Sequence, residues 1–300
     1  MTVIDLNNEN LSARISTKGG IVLGLWWGRD EGRVPLLRQA PGDDADALAS
    51  GCYPLVPFGN RVRDNRFSFR GRDYHFQANT DWDRHYLHGE GWQADWTVAQ
   101  KTAGSLDLSF NNAASQKTPY SYAATQRFVL QEDGFALTLS VTNNGEGALP
   151  FGLGWHPYFP MTPKTTLLAP ARKYWTEVDG WLPGEATDIP ADVDFSDPRG
   201  LPHRWVNNGF EDWCGEAQIV WPERKAILTL TADPLLRHAF VFVSDTRFDP
   251  AFQRDYFSFE PMSHLADGHN MTGLGDLSVL EPGETLTGSI HMKPSAWTDQ

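Results

Sequence analysis

The feature that most constrains this chain of 300 residues is a period of two in its apolar positions. Phe135, Leu137, Leu139 and Val141 fall on one face of an extended segment, while Ala136, Thr138 and Ser140 fall on the other. The pattern recurs at Leu106, Leu108 and Phe110, at Ala226, Leu228 and Leu230, and at Leu286, Ile290 and Met292 with Gly288 between them. Alternation of this kind reads as half-buried antiparallel strands. Turn-forming residues separate the runs: Glu132-Asp133-Gly134, Asn143-Asn144-Gly145, Asn207-Asn208-Gly209 and Pro282-Gly283. The one helix-like stretch, Asp43–Ser50, is short. The expected fold class is therefore all-β, a large antiparallel β-sandwich. Leu182–Pro202, rich in Pro, Asp and Gly, reads as an extended surface connection, so residues 1–300 are expected to form one domain.

Composition narrows the functional classes. With 25 Lys and Arg against 38 Asp and Glu, the formal net charge is −13, which opposes nonspecific nucleic-acid binding. No window approaches the roughly 20 apolar residues of a membrane span. The start, MTVIDLNNENL, lacks a basic segment followed by an apolar run. Two cysteines, Cys52 and Cys214, are too few for a disulfide framework and read as unpaired thiols in a reducing cytoplasm. Phosphate-binding loops, dinucleotide fingerprints, nucleophile elbows and paired-His zinc motifs are absent from the sequence.

Four segments carry the remaining chemistry. YPLVPFGNR, from Tyr53 to Arg61, delivers Asn60 and Arg61 together after a proline-bounded apolar run. The Arg61 guanidinium either forks onto two neighbouring hydroxyls of a ligand or pairs a nearby acid such as Asp64. HYLHGEGW, from His85 to Trp92, sets His88 directly before Gly89, where backbone comes close to a ligand; the alternative is a surface loop histidine. FGLGWHPYF, from Phe151 to Phe159, puts His156 before Pro157 among aromatics, either as a pocket imidazole or as a core histidine. In DYFSFEP, from Asp255 to Pro261, Phe257 and Phe259 face the core while Tyr256, Ser258 and Glu260 face the other way. Glu260 then closes the strand with Pro261 ending its ladder, as a fixed proton-transfer carboxylate or as an edge-strand glutamate in solvent. Histidine, carboxylate and arginine together with aromatic faces fit a sugar pocket.

In combination and in order, these segments resemble the aldose 1-epimerase (galactose mutarotase) family. PFGNRV is similar to its Gly–Asn–Arg element, LHGEGW with the downstream Trp96 to its His–Gly element, GLGWHPYF to its His-Pro-Tyr-Phe motif, and FEPMSHLADGHN to its catalytic glutamate segment. Gly19-Gly20, Leu182-Pro-Gly-Glu185 and Leu280-Glu-Pro-Gly-Glu284 keep the same order, and the resemblance spans about residues 10–292. It implies a galactose-mutarotase-type sandwich that needs no cofactor and no metal and interconverts α and β anomers of a free aldose, a neutral hexose such as galactose or a pentose. It implies Glu260 as general base and His156 as general acid, with Arg61, His88, Asn60 and Asp212 binding the sugar. Phe210-Glu-Asp-Trp-Cys-Gly215 departs from the family's paired-Asp pattern, so the register there falls on Asp212 or slips to Glu211. Alternatives on the same fold are a sugar-phosphate epimerase, which would need cations such as Arg63 and Arg66 beside Arg61, and a noncatalytic sugar-binding protein. The expected partner is a monosaccharide, with no nucleic acid or membrane, for a cytoplasmic monomer or homodimer. The aromatics Trp92, Trp96, Trp155, Tyr158 and Phe159, close in sequence to His88 and His156, are expected to help line the pocket.

Overall fold

A computed structural model describes residues 1–30 and 32–298, and among these two large antiparallel sheets dominate. The first is eleven-stranded. Its order across the sheet is Val3–Asn7, Leu11–Ser16, Ile21–Arg29, Cys52–Leu55, Gly154–Pro160, Tyr256–Met262, His238–Val243, Val206–Glu211, Lys173–Val178 and Leu182–Thr187, with Gly32–Pro35 paired to Ile21–Arg29. The second sheet is nine-stranded and runs Thr97–Lys101, Ser105–Asn112, Tyr122–Leu130, Phe135–Asn143, Thr285–Ala296, Ala226–Ala232, Glu216–Trp221, Thr166–Leu168 and Arg199–Gly200. Inward residues of both sheets belong to one apolar cluster, the core of the sandwich. Trp221 of the second sheet crosses it, its indole N–H donating to the Pro160 carbonyl of the first at 2.7 Å.

The alternating runs form strands as the sequence indicates. Phe135, Leu137, Leu139 and Val141 are buried in Phe135–Asn143, and Leu106 and Leu108 in Ser105–Asn112. Asp43–Ser50 holds only a single 3₁₀ turn, Ala47–Ala49, capped by the Asp46 carboxylate. Leu182–Pro202 is more than a surface connection. It contributes Leu182–Thr187 to the first sheet and Arg199–Gly200 to the second.

Two strand expectations are corrected. Asn207-Asn208-Gly209 is not a turn but lies inside Val206–Glu211, paired in order with Phe242, Val241 and Phe240. Turn-prone residues are carried there by the strands on either side, and local propensity yields to sheet context. Glu260 does not end its strand, which continues to Met262 between two neighbours and is central rather than an edge. Pro261 is tolerated because the ladder to Gly154–Pro160 makes no pairs between Gly154↔Met262 and Tyr158↔Ser258. That gap holds Pro157 and Pro261, neither of which has an N–H to give. Cys52 is buried and Cys214 exposed, and both are unpaired. No helix among the described residues is long and apolar enough to cross a membrane.

Candidate active site

The same register builds the floor of a cleft. Pairing Gly154 with Met262 and Tyr158 with Ser258 sets His156 opposite Glu260 on one face of the first sheet. His156 also pairs with Tyr53 on its other side, and Glu260 with Phe240. Alternation sends Trp155, Phe159, Phe257 and Phe259 to the opposite face, into the sandwich core. The cleft measures about 480 Å³, within the usual range of ligand sites of about 300–1,000 Å³. Its walls include Arg38, Tyr53, Asn60, Arg61, His88 and Asn207 around His156 and Glu260.

Glu260 Oε1 lies 3.1 Å from His156 Nε2, and both side chains are almost wholly buried. His156 Nδ1 is 3.0 Å from Ser258 Oγ. Ser258 donates its hydroxyl proton to the Pro157 carbonyl at 2.6 Å, so Oγ accepts and His156 Nδ1 carries a hydrogen. Burial pushes the Glu260 carboxyl well above its usual range, with Arg61 pulling it partly back. Burial likewise holds the His156 imidazole well below its ordinary value, and Arg38 adds to that. Both directions favour one shared proton, resting on Glu260 and donated to Nε2 of a neutral ring. Glu260 Oε2 is buried without a hydrogen-bond partner among the described residues.

The second half of the site comes from loops joined by a two-stranded ribbon, Arg61–Val62 paired with Tyr86–Leu87. Asn60 and His88 both have left-handed backbone, φ 61° and 58°. They lock reciprocally: the Asn60 N–H donates to His88 Nδ1 at 2.9 Å, and the His88 N–H donates to the Asn60 carbonyl at 2.9 Å. With Nδ1 accepting, a neutral His88 carries its hydrogen on Nε2. Burial keeps the ring well below its ordinary pKa, with His156 and Arg61 adding to the effect. Gly89 is required beside it. At φ +66° a Cβ there would lie 2.3 Å from Pro57 Cδ and 2.4 Å from the Val56 carbonyl oxygen. Asn60 Oδ1 accepts the Arg61 N–H at 2.9 Å. The Arg61 guanidinium is buried against Asp83, Nε to Oδ2 2.7 Å, and not against Asp64. It lies over the Trp181 ring, 5.2 Å from its centroid.

The structure thus gathers Glu260, His156, His88, Asn60 and Arg61 around one cleft. Asp212 is not brought there. It follows the far end of Val206–Glu211 in a left-handed turn, where the next N–H, of Trp213, donates to the Arg237 carbonyl. The slipped register fails as well: Glu211 accepts from Trp175 Nε1 at 2.9 Å in a separate hollow. Asn207, at the near end of that strand, lines the cleft instead. Its position five residues before Asp212 was hidden by reading Asn207-Asn208-Gly209 as a turn. Of the aromatics expected at the pocket, only Tyr158 lines the cleft. Trp155, Phe159 and Trp96 are core, and Trp92 reaches a neighbouring hollow while stacking on Tyr53 at 5.6 Å. The cleft's own aromatics include Tyr53, Trp82, Phe240, Phe242, Phe248 and Tyr256. Period-two counting outward from His156 and Glu260 was the available signal for Tyr158 and Tyr256. Trp82 and Phe248 lie outside the strands and carried none. Arg38 was also unforeseen: its guanidinium lies 3.8 Å from the Tyr158 centroid and 4.5 Å from that of Tyr256, donating to the Ser50 and Leu48 carbonyls. Among the described residues no group of three His, Cys, Asp or Glu side chains is placed to hold a metal ion.

The family model for aldose 1-epimerase matches residues 2–293. The chain belongs to the aldose 1-epimerase family. Among its relatives is the uncharacterized protein YphB of Escherichia coli K12, 42% identical over 295 residues, covering 98% of this chain and 99% of the relative. A solved structure of a candidate aldose 1-epimerase from the same organism superposes with a TM-score of 0.93 at 41% identity, over 98% of this chain and 99% of that one. The galactose 1-epimerase of Lactobacillus acidophilus shares the fold at a TM-score of 0.79 and 14% identity, over 99% of this chain and 95% of that one. The fold is thus that of the galactose mutarotases.

Proposed function

We propose that this protein interconverts the α and β anomers of a free aldose, with Glu260 as base and His156 as acid. The observation that carries the reading is the buried cross-strand pair of Glu260 and His156, 3.1 Å apart on the cleft floor and directions of burial that leave it one proton. Ring opening needs that stoichiometry. The C1 hydroxyl gives its proton to a carboxylate, the C1–O5 bond breaks, and O5 takes a proton from an imidazolium. The pair enters the step as Glu260 carboxylate with His156 imidazolium and leaves it as carboxylic acid with neutral imidazole. The product state is the one burial favours, and closure on the other face of the aldehyde runs the same transfers in reverse. A positioned acid or base contributes typically about 10²–10⁴-fold.

The loop residues suit binding rather than proton transfer. His88, with Nδ1 held by the Asn60 N–H and its pKa depressed by burial, offers an Nε2–H hydrogen bond to a sugar oxygen. Arg61, oriented by Asp83, presents the rest of its fork to hydroxyls. Asn60 and Asn207 add amide groups at the wall. Tyr53 and Tyr158 add aromatic wall, with Tyr53 stacked against His156 at 4.5 Å and Tyr158 beneath the Arg38 guanidinium at 3.8 Å.

A free sugar suits the cleft better than a phosphorylated one. Arg63 pairs with Asp267 at 3.0 Å in a separate hollow, and Arg66 is exposed. Of the two cleft guanidiniums, Arg61 already pairs with an acid and Arg38 with backbone carbonyls, while Asp46 and Asp249 add negative charge to the walls. The test is polarimetry on freshly dissolved α-D-glucose and α-D-galactose, each beside its 6-phosphate. The reading expects accelerated mutarotation of a free sugar that Glu260→Gln abolishes. Sugar binding by calorimetry without any acceleration would assign a binding protein instead.

A further inference from the structure

A second hollow of about 660 Å³ adjoins the cleft, sharing Leu48, Trp82 and Phe248 with it. Glu260, His156 and His88 do not line it; Trp181, Trp205, Glu177, Asp245 and Arg247 do. Its aromatic rings form one connected group. The Phe248 centroid lies 6.0 Å from Trp82, 5.6 Å from Trp181 and 5.3 Å from Trp205. Trp82 and Phe248, at the shared rim, keep 43% and 39% of their surface exposed. Large aromatic area left in water beside a sugar-sized cleft is a costly arrangement for a chain that needs only the cleft.

Polar groups surround those rings and tie the hollow to the cleft. Glu177 accepts from Trp205 Nε1 at 3.2 Å and from Asn207 Nδ2 at 2.5 Å, and Asn207 is a cleft wall residue. Arg61 lies over the ring of Trp181 and pairs with Asp83. Asp245 Oδ1 caps the backbone N–H groups of Arg247 and Phe248, leaving its other oxygen for a ligand. The Arg247 guanidinium is exposed and makes no hydrogen bond among the described residues. Aromatic faces ringed by carboxylates and a guanidinium match the amphipathic surface of a pyranose, apolar C–H faces with hydroxyls at the edge.

We propose that this hollow is a second sugar subsite that makes the protein prefer a reducing disaccharide to its reducing monosaccharide, the non-reducing ring resting on the Trp82–Trp181–Trp205–Phe248 shelf. The inference rests on the anomer-exchange reading above, because that chemistry requires the ring in the cleft to keep a free C1 hydroxyl. The linkage therefore leaves that ring from a carbon other than C1 and crosses the Trp82–Phe248 rim. The shelf performs no covalent step. It adds affinity for the second ring.

The test compares maltose, cellobiose and lactose with glucose and galactose, by mutarotation kcat/KM and by calorimetric binding to the wild-type chain. At least one disaccharide is expected to exceed its own reducing monosaccharide about tenfold in both. Trp181→Ala should reduce that ratio toward one. Because Trp181 also touches Arg61, Arg247→Ala supplies a second variant confined to the hollow, expected to lower the ratio severalfold. Equal values for mono- and disaccharides, with both variants affecting the two classes alike, would overturn the subsite. So would a chain that dimerises in sedimentation and becomes monomeric with Trp181→Ala, since the shelf would then be an interface. Tighter disaccharide binding that both variants erase, with no anomer exchange on any sugar, would keep the subsite and overturn the catalytic reading instead.

Discussion

The cleft is assembled from two regions that hold their side chains by different means. His156 and Glu260 stand on adjacent central strands, and sheet register alone sets them face to face. Arg61 stands in the two-residue strand Arg61–Val62, paired with Tyr86–Leu87, and His88 directly follows that partner. The loops flanking this short ribbon are left-handed at Asn60, His88 and Gly89, and side-chain hydrogen bonds to Asn60 and Asp83 fix both residues. A cross-strand pair can shift only if the strands slip, which would turn every neighbouring side chain to the wrong face. A loop held by a few hydrogen bonds can yield locally. On the proposed reading, the acid and base that must meet a bond in a fixed geometry occupy the rigid half, and the groups that accommodate hydroxyls occupy the adjustable half.

That division predicts different kinds of failure. The largest effect is expected at Glu260→Gln. The amide is isosteric and can still donate to His156 Nε2, so register and thermal unfolding should change little, while kcat falls by about 10²–10⁴-fold with KM nearly unchanged. His156→Asn should lose activity on the same scale but also some stability, because it leaves Glu260 buried without its partner. Polarimetry paired with thermal denaturation checks both. A Glu260→Gln chain that unfolds early would show that the pair holds the sheet together and that the sheet, too, depends on side-chain contacts at the cleft.

The loop half should fail by loosening. Gly89→Ala forces a Cβ into Pro57 and the Val56 carbonyl at positive φ. The loop must shift, and His88 with it. The expected outcome is a KM increase of about tenfold or more, with a lower unfolding temperature and a smaller loss in kcat than at Glu260. Asp83→Asn comes next: it keeps the shape but removes the charge that orients Arg61. KM should rise by roughly three- to tenfold with kcat little altered, and the measurement is the full kinetic split rather than a single-concentration rate.

How much of this was legible in the sequence follows the same division. The strands were visible because alternation is a period-two signal that burial enforces, as Phe135 to Val141 demonstrates. Phe257 and Phe259 were assigned to the core, and Tyr256, Ser258 and Glu260 to the opposite face, by that rule alone. The same rule separates Tyr158 from Trp155 and Phe159, which proximity to His156 in sequence had grouped together. Sequence neighbours on a strand point to opposite faces, so closeness along the chain is a poor guide to a shared pocket. The loop half and the rim were less legible. Nothing local announces that Asp83 rather than Asp64 will meet Arg61, or that Trp82 and Phe248 will touch, because long-range packing decides both. Turn-like composition concealed the strand that carries Asn207 to the cleft, while Asp212 rested on the resemblance of Phe210–Gly215 to a family motif rather than on any local pattern.

The smallest expected effect distinguishes the halves by pH. His264 Nε2 accepts the Gly59 N–H at 2.9 Å and its Nδ1 faces the Leu265 carbonyl at 2.9 Å, so a neutral ring pins the loop leading to Asn60 and Arg61. Burial lowers its pKa from 6.5 to about 4. In the unfolded chain the ring takes up its proton as pH falls through 6.5, but in the folded chain only near 4. Between those values the unfolded state binds more protons, so stability falls as pH falls; above 6.5 both forms are neutral and the contribution is fully present. The unfolding temperature should therefore decline on acidification from about pH 6.5 toward 4, in a titration of thermal unfolding against pH. His264→Gln retains an acceptor for the Gly59 N–H without a titrating ring, and should make that decline shallower. The sheet-borne pair behaves otherwise. With His156 depressed and Glu260 raised, it keeps its single proton through neutral pH. Activity at saturating sugar should hold through neutral pH and decline only well below 6.5, where a second proton reaches His156. KM should climb earlier than kcat falls if the loop yields first. A rise in KM and a fall in kcat over the same pH range would mean that loop and strands titrate as one unit, and that the separation between them does not extend to protonation.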